Sequence, residues 1–115
     1  MPGPELIDVA GLLAGDGPRV RWSADNQLQT NLVVLAPGAR VDRHVEHDLD
    51  VTLVVVAGDA VLAHGPSDDV TSEQVRSPAV VVLPAGTSRS VVAGPDGVAY
   101  VTAHRARPSL LPRLR

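Results

Sequence analysis

Leu49-Asp50-Val51-Thr52-Leu53-Val54-Val55-Val56-Ala57, followed by Gly58-Asp59, is the stretch on which the fold turns. Four of its nine residues are valine. A β-branched side chain loses rotamer freedom in a helix and packs well on a pleated surface. The run therefore reads as a strand, stopped by Gly58-Asp59. Upstream, Gln27–Ala36 (QLQTNLVVLA) is a second strand, closed by Pro37-Gly38, and Val41–Glu46 continues as a polar one. Downstream come Ala60–His64, a Gly65–Asp69 loop, a polar edge segment Val70–Arg76 and Ala79–Leu83 (AVVVL), which Pro84-Ala85-Gly86 stops. Ser88–Ala93 follows, then the Gly94–Gly97 turn and Val98–Arg105. Near the N-terminus Arg19–Ala24 alternates weakly, and the periodicity of Glu5–Ala14 leaves helix and strand both open. Eight or nine short strands at regular spacing, with no long helix, suggest a sandwich or a barrel.

Composition agrees. The chain has 115 residues, one domain's worth, with 44% hydrophobic and 20% charged residues. With no Phe, one Trp (Trp22) and one Tyr (Tyr100), the interior has to be built from Val, Leu and Ala. Ten Gly and ten Pro supply turns. The expectation is a single all-β domain over 1–115, with a barrel core at about 19–105 and a tail from 106 to 115, broken by Pro108 and Pro112.

Several function classes fall away. The absence of Cys removes disulfides, thiolate metal sites and Cys nucleophiles. A formal net charge of −3 and scarce aromatics argue against nucleic-acid binding, which needs a basic field and stacking platforms. The longest apolar run, Leu53–Ala57, is too short to cross a bilayer, and Met1–Glu5 has no signal-peptide pattern. The expected compartment is the cytoplasm, with no membrane partner. No Ser-His-Asp arrangement, phosphate loop or dinucleotide fingerprint is present.

Two stretches resemble the motifs of the cupin superfamily. The first runs from Pro37-Gly38 through Arg43-His44-Val45-Glu46-His47-Asp48-Leu49-Asp50 to Gly58. Gly38, His44 and Gly58 fall in register, Glu46 stands where the family has a second His, and Val51 stands at the Glu position, one place after Asp50. The second runs from Pro78 through AVVVL to Pro84-Ala85-Gly86, with Arg89 where the family has a metal-binding His and Ala93 in place of Asn. The resemblance covers roughly Leu28–His104. It implies a cupin-type barrel (a double-stranded β-helix, or jelly roll) of short antiparallel strands. Small cupins commonly pair through sheet edges, so it also implies a homodimer.

The turn skeleton matches better than the ligand set, and function lives in the site. His44 and Glu46, two apart on a strand, share a face, and Asp50 begins the next strand. One His with two carboxylates suits Fe, Mn or Zn. His104 is a possible further ligand, and His47 points away unless a bulge re-aims it. A plainer alternative is that the acidic alternation from Asp42 to Asp50 is simply a solvent-facing strand. Arg89 cannot ligate a cation and would repel one, but it can hold a carboxylate in a bidentate fork. Three functions therefore stand side by side, with enzyme activity open. The favoured one is a barrel pocket that binds a small anionic organic molecule through Arg89, with His44, Glu46, Asp50 and His104 as further pocket candidates. The others are a metal-dependent dioxygenase or isomerase using His44, Glu46 and Asp50, and a structural or dimerising barrel with a vestigial site.

Overall fold

The computed structural model describes residues 3–107. In chain order the elements are α1 (Val9–Leu13), β1 (Val20–Asp25), β2 (Leu28–Leu35), β3 (Arg40–Val45), β4 (Val51–His64), β5 (Thr71–Arg76), β6 (Ala79–Leu83) and β7 (Ser88–Arg105). The ambiguous N-terminal segment resolves into a five-residue helix, α1. Asp8 caps it by accepting a hydrogen bond from the Gly11 N–H at 3.2 Å. Of the expected tail, 108–115 lies outside the described residues.

Strand number is corrected. Sequence places separate strands on either side of Gly58-Asp59 and of Gly94–Gly97. The structure runs each pair together, as the 14-residue β4 and the 18-residue β7. The turn-forming glycines do not end these strands. They fall where the β4–β7 ladder shifts register, between Val55 and Ala57 and again between Gly58 and Ala60. Bulges of this kind bend a strand without ending its pairing.

That bend makes two layers from one ladder. The first half of β4 pairs with β6 and with the second half of β7, giving the order β1-β2-β7-β4-β6. The second half of β4 pairs with β5 and with the first half of β7, which also carries β3, giving β3-β7-β4-β5. Every pairing is antiparallel. Side chains from both layers, including Leu53, Val55 and Tyr100 from one and Leu62, Val91 and Ala93 from the other, form a single buried cluster. The architecture is an all-β jelly roll, a sheet folded on itself around an aliphatic core.

The four outer strands are unequal. β1, β3 and β5 each carry charged residues, whereas β6 is Ala-Val-Val-Val-Leu, with Val80 65% and Val82 64% exposed.

Candidate functional site

Alternation in the strands aims a small set of polar side chains into the open end of the roll. Tyr100 and Thr102 of β7 point inward beside Leu53 of β4, since Val55 pairs with Tyr100 and Leu53 with Thr102. On the facing layer Arg89 sits in a row between His44 of β3 and His64 of β4, its direct cross-strand partners. These elements enclose a cavity of about 260 Å³, open to solvent, whose walls are Val and Leu. Its polar lining is Arg19, His44, Arg89, Tyr100 and Thr102. A second cavity, of about 230 Å³ near Leu13 and Gly97, is lined by apolar and backbone groups apart from Asp96.

Arg89 dominates the electrostatics. It is 6% exposed and is the buried charged residue of the described core. Its Nη1 donates to the Thr87 carbonyl at 3.3 Å, which leaves most of its five N–H donors without a partner among the described residues. No carboxylate lies within 4.0 Å of it among those residues. Burial lowers its pKa, opposed by the charge of Glu46, with Arg107 adding to the lowering and Tyr100 opposing it. Even so, a guanidinium stays charged at neutral pH. Burial also raises the Tyr100 phenol above its usual value, and the positive charges of Arg19 and Arg89 pull the other way. Two guanidinium groups thus act on one buried hydroxyl.

The residues singled out from sequence are dispersed. His44 lines the cavity but is exposed, with Nδ1 3.0 Å from the Asp42 carbonyl oxygen. Glu46, just past β3, is ion-paired with Arg107 at 2.7 Å. Asp50 is exposed and accepts a hydrogen bond from the Ala85 N–H at 2.8 Å, tying down the Pro84-Ala85-Gly86 turn. With Asp48 and Arg105 it borders a different hollow. His47 is exposed, and His104 has Nδ1 2.8 Å from the Arg105 carbonyl oxygen. Next to Arg89, His64 is bound to Glu73 at 2.7 Å.

The donor set expected for a metal does not fit this geometry. Among the described residues no three His, Asp or Glu side chains stand close enough to hold one ion. His44, Glu46 and Asp50 are not brought together, because Asp50 turns to the Pro84–Gly86 turn and Glu46 to Arg107. Arg89 then occupies the cavity wall with a fixed positive charge.

Sequence reading missed Arg19 and Arg107. Both flank strands, where an arginine is unremarkable, and neither falls inside a motif. Tyr100 serves as both core and cavity wall: it is 6% exposed, part of the core cluster and lines the cavity.

No protein-family model matches the chain, and no curated protein matches it by sequence. Solved structures do. The protein BH2720 from Bacillus halodurans superposes with a TM-score of 0.76 at 19% identity, over 94% of this chain and 86% of that one. The Cnp3 cupin domain of Schizosaccharomyces pombe gives a TM-score of 0.65 at 14% identity, over 75% of this chain and 59% of that one. A recombinant oxalate oxidase in complex with glycolate gives 0.63 at 21% identity, over 72% of this chain and 44% of that one. At these identities the likeness is one of fold, and it agrees with the motif skeleton and the layered topology: the chain is a small cupin-fold protein.

Proposed function

We propose that the cavity binds a small organic carboxylate on the Arg89 guanidinium. The carrying observation is the state of Arg89: 6% exposed, without a carboxylate in reach among the described residues, and facing a cavity. A guanidinium with few protein partners at the wall of an open cavity leaves its donors for water or a ligand, and its planar fork matches a carboxylate in two parallel hydrogen bonds. The Tyr100 hydroxyl supplies a further donor, Arg19 adds positive potential, and the valine and leucine walls take a short carbon skeleton. The volume corresponds to roughly nine water molecules at ~30 Å³ each, so the ligand is small. The glycolate bound to the structurally similar oxalate oxidase carries the charge this anchor suits and is small enough to enter the cavity.

Thermal unfolding with glycolate, oxalate and neutral glycolamide tests the reading. At a hundredfold excess over Kd, a bound ligand stabilises the fold by about 2.7 kcal/mol, or ~10 °C in Tm for a domain of this size. The expected result is a rise with the two carboxylates, none with glycolamide, and loss of the rise in Arg89→Gln. Equal shifts with wild type and Arg89→Gln would sink the proposal.

A further inference from the structure

The Glu46 carboxylate acts on two guanidinium groups and bonds to one of them. The β3–β7 ladder pairs His44 with Arg89 and Val45 with Ser88, and Glu46 follows directly where β3 ends. The Gly86 N–H donates to the Glu46 carbonyl oxygen at 2.8 Å and pins that position. From there the carboxylate exerts the strongest charge effect felt by Arg89. Its hydrogen bond nevertheless goes to Arg107, whose Nη2 lies 2.7 Å from Oε2.

We infer that Arg107 is a positioning residue for the cavity: by holding the Glu46 carboxylate it keeps that anion off Arg89 and leaves the buried guanidinium open to a ligand. The inference rests on the reading of Arg89 as anchor. Arg89 and Glu46 alone sum to zero, and a carboxylate arriving there would meet both a competitor for the fork and a like charge. With Arg107 the three groups carry a net +1, and the fork stays unfilled. The Arg107–Glu46 pair is itself half open to water, with side chains 55% and 22% exposed, so it contributes little to stability. Its effect lies in where it places the Glu46 carboxylate.

The test has one arm that needs no ligand. Diacetyl in borate buffer modifies accessible guanidinium groups, and peptide mass spectrometry resolves the rate at Arg89. Arg107→Gln is expected to slow modification of Arg89 several-fold, because Glu46 then pairs with it, while Arg107→Lys stays near wild type. Adding Glu46→Gln to Arg107→Gln is expected to restore the rate. Modification of Arg21, which donates to the Leu12, Gly15 and Pro18 carbonyls, serves as the control for intact folding. Calorimetric titration with glycolate forms the second arm. There Arg107→Gln is expected to weaken binding about two- to fivefold, the shift that loss of a half-exposed ion pair allows, and the double variant recovers it. An unchanged Arg89 rate in Arg107→Gln overturns the inference. Absence of glycolate binding with the labelling pattern intact overturns the carboxylate reading and leaves the role of Arg107 standing.

Discussion

Gly58 and Gly97 meet at the bend of the roll so closely that a Cβ on Gly58 would collide with the Gly97 carbonyl oxygen. Both have positive φ, +72° and +78°, in the left-handed region that a side chain disfavours. The contact lies where β4 and β7 change register, so it fixes the angle at which one layer folds over the other. Gly58→Ala combines backbone strain with a clash against immobile main chain. The expected cost is about 3 kcal/mol, the sum of a left-handed penalty and a forced backbone shift. Chemical denaturation of the two proteins measures it, and a cost under ~0.5 kcal/mol would show that the bend does not depend on this contact.

Asp50 separates two accounts of the site. Its carboxylate accepts the Ala85 N–H at 2.8 Å and borders a hollow apart from the cavity. Asp50→Ala is expected to lower stability by about 1 kcal/mol through the lost exposed hydrogen bond. The glycolate-induced rise in Tm is expected to persist. Loss of that rise in a folded Asp50→Ala protein would put Asp50 back in the binding site.

Tyr100 is the chain's one tyrosine, so the near-ultraviolet phenolate band reports it alone. Burial holds the phenol neutral and raises its pKa, so the band is expected to appear above the free value of ~10. A raised pKa means that the folded state binds the proton more tightly. Its contribution to stability is therefore complete below ~10 and is lost as pH climbs through the folded value. Arg89 opposes the rise, so Arg89→Gln should move the titration further upward. A downward move would contradict the placement of Arg89 beside this hydroxyl.

Strand β6 leaves an uncharged row at a sheet edge. Charged side chains at an edge discourage strand-to-strand association, and β6 has none. Val80→Lys is expected to lower concentration-dependent self-association in light scattering. Because Val80 is 65% exposed, stability should change by less than ~0.5 kcal/mol. Identical scattering from both proteins would mean that β6 is not the sticky edge.

What sequence made legible was local. Valine-rich runs between glycine and proline turns announce strands, and the Gly38 and Pro84-Ala85-Gly86 positions carry turns of the roll, because those signals act over a few residues. The continuity of β4 and β7 was not legible. A glycine at a bulge and a glycine at a turn look alike until the partner strand is known, and here the partner of Gly58 lies near Gly97.

The site divides the same way. Arg89 drew attention from its motif position alone, and His44 and Glu46 from their alternation on one strand. Tertiary structure alone decided that Asp50 turns away to Ala85, that Glu46 goes to Arg107, and that Arg19 and Tyr100 join Arg89 around one cavity. The Arg107–Glu46 contact spans 61 positions of chain. Strand periodicity says which face a side chain occupies, but only the folded ladder brings distant faces together and sets which charge lies nearest to which.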